Sequence, residues 1–249
     1  MTDSSAKRKT WETLAEIDPK WAILSDPEKI GNKWDDKNFY ATGIEQIEKL
    51  FNFIEGKGIT INEGIALDYG CGLGRLTEAL ANKFLKVYGV DFSTKMIEGA
   101  IKNPMKSPNT EYLQCDGKDL SQFENDKFDF VISLLTLQHN ENKTQLNLIN
   151  EFIRVTKKNG IIVFNVMVDL SILYSFEHII YRVSSKFANK ILDTLSRLGY
   201  IGPGYFKQNL SVQVFNVNRS KLEKILKEKG VSFEVYNENS HEFLYILKK

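Results

Sequence analysis

The sequence predicts a doubly wound α/β fold: a mostly parallel sheet of seven strands with helices on both faces, closed by an antiparallel C-terminal hairpin. Three observations predict it. From Gly64 onward, short apolar runs alternate with amphipathic stretches, the pattern of βαβ units whose strands are covered on both sides. The first apolar run ends in a glycine-rich turn, "DYGCGLGRL" (68–76), leading into a helix. The last two runs, "VSFEVYNE" and "HEFLYILKK", stand on either side of the turn-like "NENS".

The elements follow in order. About the first sixty residues are helical in texture: "IDPKWAIL" and "SDPEKIG" each set Asp before Pro, an N-cap followed by the first helical position. A third helix, "GIEQIEKLFNFIEGKG", places Ile44, Ile47, Leu50, Phe51 and Ile54 on one stripe and stops at glycines. Then "GIALDYG", "KVYGVD", "TEYLQCD", "FDFVISLL" and "IIVFNVMV" read as strands. The stretches "RLTEALANKF", "STKMIEGAIKN" and "TQLNLINEFIRVTKKNG" read as the helices between them. A capped helix, "NRSKLEKILKEKG", precedes the hairpin. Disorder is expected only at the extreme N-terminus.

Length and composition fit one main domain: 249 residues, 42% hydrophobic and 26% charged. The expected organisation is an N-terminal helical segment (1–60) packed on a core of 61–249, with 169–213 inserted as a helical cap over the carboxyl ends of the strands. The formal net charge is +1 with Lys and Arg dispersed, so no footprint for nucleic acid stands out. The start, "MTDSSAKRKTW", has no apolar core of a secretory signal, and "GIIVFNVMVDLSILY" is interrupted by Asn165 and Asp169 and too short to span a bilayer. A cytoplasmic protein without a membrane partner is expected. Cys71 and Cys115 form no paired spacing, which predicts free thiols and neither a disulfide framework nor a metal site.

Gly70, Gly72 and Gly74 stand where an open parallel sheet cradles its ligand, the loop from the first strand to its helix. The second strand ends in Asp91, a carboxylate able to accept both hydroxyls of a ribose, and the third in Asp116, able to accept from an adenine amino group. Three adjacent strand ends thus suit an adenosine. A dinucleotide-binding loop wants G-x-G-x-x-G, but here the third glycine arrives one residue early and Arg75 takes the place of the glycine. Asp68 would also repel a pyrophosphate and favours a ligand bearing a cation.

With Asp91 and Asp116 behind it, "DYGCGLG" closely resembles the "D.GCG.G" motif of the class I S-adenosylmethionine-dependent methyltransferases, and "VDFSTKM" and "FDFVISLLTLQHN" are similar to that family's next motifs. The resemblance covers roughly residues 62–168. It implies a Rossmann-like fold, S-adenosyl-L-methionine as cofactor, and a cofactor site of Asp68, Gly70, Gly72, Gly74, Asp91, Phe92, Met96, Asp116, Gly117 and Leu134. Phe92 and Met96 would flank the adenine by the family's pattern, or else belong to the core. Leu134 would contribute a backbone contact to the methionine portion.

Gln138, His139 and Asn140 sit just beyond the fourth strand, on the side of the expected reaction zone. His139 is the candidate general base for an acceptor hydroxyl, the alternative being a structural histidine. Trp34, Phe39 and Tyr40 either close the pocket or staple the N-terminal helices to the sheet, and stapling is the expectation for Trp11 and Trp21. The aromatic insert supplies Tyr174, Tyr181 and Tyr205 as candidate contacts for an apolar or flat acceptor, or else a satellite core or homodimer contact. The expected function is methyl transfer to oxygen or nitrogen of a small molecule. The alternatives are modification of a protein or RNA, and a binding module without turnover.

Overall fold

A computed structural model describes residues 4–167, 214–237 and 242–249. The proposed insert at 169–213, with Tyr174, Tyr181 and Tyr205, lies outside the described residues, as does the tip of the terminal hairpin. The chain opens with helices α1 (Ser4–Ile17), α2 (Pro19–Ile23) and α3 (Asp36–Gly56), with a 3-10 turn at Pro27–Lys29 between the last two. The core follows as β1 (Ile65–Tyr69), α4 (Arg75–Ala81), β2 (Lys86–Asp91), α5 (Thr94–Ile101), β3 (Thr110–Gln114) and β4 (Phe128–Ser133). A 3-10 turn at Leu137–His139, α6 (Asn142–Val155) and β5 (Thr156–Met167) come next, and α7 (Arg219–Glu228), β6 (Ser232–Asn237) and β7 (Glu242–Lys248) complete the described chain.

The seven strands form one sheet in the order β3-β2-β1-β4-β5-β7-β6. All neighbours are parallel except β5 with β7 and β7 with β6, so the hairpin read from the sequence is present. The order reverses between β1 and β4. That switch point opens a crevice at the carboxyl ends of the strands, beside the glycine turn. Every residue of β4 is buried, as a central strand covered on both faces requires. Leu50, Phe51, Leu76 and Leu80 of α3 and α4 pack one face, while Phe152, Leu148, Leu222 and Leu226 of α6 and α7 pack the other.

Several boundaries differ from the sequence reading. Helix α3 begins at Asp36, ahead of the apolar stripe, because Asp35 caps it by accepting from the Asn38 backbone N–H at 2.9 Å. Phe39 and Tyr40 are therefore helical, and Ile44 turns 39% exposed, off the buried stripe of Ile47, Leu50, Phe51 and Ile54. Helix α6 ends at Val155, and "TKKNG" begins β5, where a shift in pairing between Phe128 and Phe130 admits the extra residues. Asp18 and Asp26 cap the two short helical turns as their Asp-Pro pairs predict. Helix α1, inside the segment read as helical, precedes them.

Helix α1 is tied down by charge. Both carboxylate oxygens of Glu12 accept from the exposed backbone N–H groups at the start of α5, Thr94 at 2.7 Å and Lys95 at 3.2 Å, while Glu16 pairs with Lys95. These contacts lay α1 across the mouth of the crevice.

Candidate cofactor and acceptor site

Three strand ends and a helix build the site. The turn after β1 folds back on β2, with the N–H groups of Gly70 and Cys71 both donating to the Val90 carbonyl, at 2.7 and 3.0 Å. Gly70 has φ +78, and a Cβ there would lie 2.2 Å from Thr136 Oγ1 in the loop after β4. The glycine therefore allows two strand ends to close on each other. Gly74 has φ +83, and its Cβ would meet the Tyr112 hydroxyl at 2.1 Å. That hydroxyl is committed to Glu78 at 2.5 Å, so it has little freedom to move aside. Gly74→Ala is expected to destabilise the fold by about 2 kcal/mol or more, from left-handed backbone plus overpacking. Urea denaturation measures it, and a loss under half that size would show that the turn relaxes.

Asp91 organises the loop. Its carboxylate is buried, with one oxygen accepting from the Gly72 N–H at 3.0 Å and the other from the Ser93 N–H at 2.8 Å. A carboxylate offers about four acceptor positions, so capacity remains for a ligand's hydroxyls. Burial raises the pKa of Asp91, against the opposing pull of those backbone N–H bonds and of Lys7. Asp68 is buried as well. Desolvation pushes its carboxyl up to about 6, partly offset by the Thr77 hydroxyl that donates to it at 2.7 Å and by the charge of Arg75.

These groups face a cavity of about 360 Å³. Asp68, Gly70, Gly72, Asp91, Phe92, Met96, Gly117, Leu134, Gln138 and His139 all line it. Gly74 and Asp116 do not. Gly74 serves the packing just described, and Asp116 is exposed, its carboxylate accepting from the Lys118 and Asp119 backbone N–H groups at 2.7 and 3.3 Å. Trp34, Phe39 and Tyr40 also lie away from the wall. They form an apolar cluster with Leu73 and Met96, and the Tyr40 hydroxyl donates to the Leu73 carbonyl at 2.9 Å, so they staple.

Helix α1 supplies the residues that sequence reasoning missed. Lys7 and Trp11 line the cavity, so Trp11 faces the site as well as packing α1 on the loop after β4. The Lys7 ammonium donates to Asn140 Oδ1 at 2.5 Å and lies 5.1 Å from the centre of the Phe92 ring. Burial brings its pKa down to about 8, with Asp91 pulling the other way. Trp11 meets the His139 ring edge-on, centroids 5.2 Å apart. On the far side, Leu135 takes φ +58, held there by its N–H donating to the buried Asn165 Oδ1 at 2.7 Å. The polar interruption of the β5 apolar run is thus the anchor of the loop after β4.

Residues 67–164 match the family described as the methyltransferase domain. They are a class I S-adenosylmethionine-dependent methyltransferase domain. The family's methyl donor is S-adenosylmethionine. A ubiquinone biosynthesis O-methyltransferase of Haemophilus ducreyi is 32% identical over 122 residues, 47% of this chain and 52% of the relative. A putative methyltransferase of Bacillus subtilis is 33% identical over 107 residues, 42% of each chain. The chain thus spans about half the length of the curated relatives it matches. Among solved structures, a magnesium protoporphyrin IX methyltransferase of Synechocystis with bound SAH aligns at TM-score 0.60 and 16% identity, covering 99% of this chain and 100% of that one. At that identity the likeness speaks for the fold alone.

The chemistry of this cavity's lining fits the family's donor, a cation with an adenosine attached. Two buried carboxylates stand along one wall, and Phe92 and Met96 offer apolar surface beside Asp91. Gln138 adds an acceptor, its buried side-chain carbonyl having no hydrogen-bond partner.

Proposed function

We propose that the chain transfers a methyl group from S-adenosylmethionine to an oxygen or nitrogen of a small-molecule acceptor. One observation carries this: a single cavity joins the carboxylates at the ends of β1 and β2 to Gln138 and His139 after β4, under α1. The name of the Haemophilus ducreyi relative favours an oxygen acceptor. Bound there, the donor supplies an electrophilic methyl group on a sulfonium. Asp91 would hold the ribose hydroxyls, Phe92 and Met96 would flank the adenine, and the backbone at Leu134 would meet the methionine portion. Methyl transfer is an in-line displacement that depends on positioning and on keeping water out, which is the task of Trp11 on α1. His139 takes the proton of an acceptor hydroxyl, its ring fixed by the edge contact with Trp11.

The test incubates the protein with S-adenosylmethionine and panels of phenols and primary amines, with S-adenosylhomocysteine release followed by mass spectrometry. Release with a small molecule is expected. Release only with added protein or RNA would instead favour a macromolecular acceptor. With a hydroxyl acceptor in hand, His139→Ala should lower kcat by about 100-fold or more, the usual share of a general base. Full turnover by that variant would remove His139 from the chemistry.

A further inference from the structure

A second cavity, of about 580 Å³, lies between α3 and the β6–β7 hairpin. Its floor is a row of side chains across the sheet. Leu134 follows β4, while Tyr236 of β6 and Leu244 of β7 stand directly opposite each other, and Leu244 is paired in turn with Asn165 of β5. All three apolar side chains pack on the α3 side of the sheet. From β4 to β6 the row crosses three strand spacings, roughly 14 Å. Helix α3 roofs it with Leu50 and Phe53, and Phe53 meets Tyr236 edge-on at the outer end, ring centroids 4.7 Å apart. Phe53 is 37% exposed, off the buried stripe of its helix. The charges at the rim are already engaged: Glu45 and Lys49 pair with each other at 2.6 Å, and the Lys57 ammonium lies over the Phe53 and Tyr236 rings.

The wall between the two cavities is thin. Arg75 lines the first and donates to Gln46 Oε1 at 2.7 Å and to Thr42 Oγ1 at 3.3 Å, two residues that line the second. Leu134, half-buried, borders both. From this juxtaposition, and resting on the methyltransferase reading, we propose that the second cavity holds the apolar chain of an amphipathic acceptor whose nucleophilic head lies on the donor's side of Leu134. Size and lining select that occupant. The volume falls in the range of small-molecule sites, roughly 300–1,000 Å³, and the walls are aliphatic and aromatic. With the rim charges paired, an ionic group would find no counter-charge there, whereas an apolar chain removes the floor and roof from water. Binding energy gained along that chain, away from the reacting atom, serves to fix the head in line with the methyl group.

The test titrates 4-butylphenol, 4-hexylphenol and 4-octylphenol into the full chain saturated with S-adenosylhomocysteine, and into Phe53→Asp, Tyr236→Ser and Leu85→Asp. In the unaltered chain each added methylene should tighten binding about threefold to fourfold, the worth of a buried methylene. Phe53→Asp sets a charge at the far end of the cavity. It should weaken 4-octylphenol about tenfold or more, flatten the dependence on chain length and leave S-adenosylhomocysteine within twofold. Tyr236→Ser should act in the same direction, and it decides the matter if melting curves show that Phe53→Asp does not fold. Leu85 is 81% exposed just ahead of β2, so Leu85→Asp controls for chains that adhere to any apolar surface and should change nothing. An affinity that ignores chain length, a dependence on length that both cavity variants retain, or an equal loss in Leu85→Asp would overturn the proposal. So would a dimer, seen by analytical ultracentrifugation, that Phe53→Asp dissociates, since a second copy would then fill the cavity. Failure of the unaltered chain to bind S-adenosylhomocysteine would count against the methyltransferase reading instead, and the same phenols given to the protein alone would still decide what the cavity holds.

Discussion

Asp91→Ala is expected to weaken S-adenosylhomocysteine binding by about 2 kcal/mol or more, roughly 30-fold, because it removes a charge-assisted pair of hydrogen bonds to the ribose. The same carboxylate holds the Gly72 and Ser93 backbone N–H groups, so the substitution also slackens the glycine turn and the start of α5. Asp91→Asn separates the two effects. An amide retains one acceptor oxygen for the loop but loses the charge, and the affinity should fall between those of Asp91→Ala and the unaltered chain. Calorimetric titration of both variants, alongside melting curves, measures it. Equal affinity in all three proteins would remove Asp91 from the ligand contacts.

Asp68→Asn should push stability and binding in opposite directions. The folded carboxyl titrates near 6, against the ordinary 3.8, because burial penalises its charged form. A raised carboxyl pKa means that the folded state holds its proton longer than the unfolded state does. Its contribution to stability is fully present below pH ~4, falls away as pH rises through 6, and stands at neutral pH as a cost of about 3 kcal/mol. A permanently neutral amide that still accepts from Thr77 escapes the cost. The variant should therefore melt higher near pH 7.5, with the gain vanishing towards pH 4. Donor binding should weaken about tenfold, since the site loses the negative charge that favours a cationic ligand. In the unaltered chain, that affinity should decline below pH 6 as Asp68 takes up its proton. A variant that melts lower at pH 7.5 would show that the buried charge is offset by the structure around it.

The parallel core was legible because periodicity and burial agree there. Strands buried on both faces are continuous apolar runs, and each is followed by a helix whose polar side is visible in the sequence. Asp68, Gly70, Gly72 and Asp91 were legible for a related reason: a turn this tight at a strand end needs glycine and short acids in fixed order. Gly74 was legible as a turn glycine, but its packing role was not, because Tyr112, the side chain it makes room for, lies on a strand far along the chain. Helix α1 was illegible as a wall. Nothing in "SSAKRKTWETLAEI" announces that Glu12 will cap α5 or that Lys7 and Trp11 will reach the cavity, since those are long-range contacts without local periodicity. Asn165 looked like a flaw in an apolar run. Only the paired neighbour, the Leu135 N–H, explains it.

The central claim is that the cavity at the carboxyl ends of β1, β2 and β4 binds S-adenosylmethionine. Calorimetric titration of the full chain with S-adenosylmethionine, S-adenosylhomocysteine and NADH tests it most directly, before any acceptor is known. Micromolar binding of the first two with NADH silent is the predicted result. Binding of NADH alone would contradict the claim and the reading of the glycine turn on which it rests.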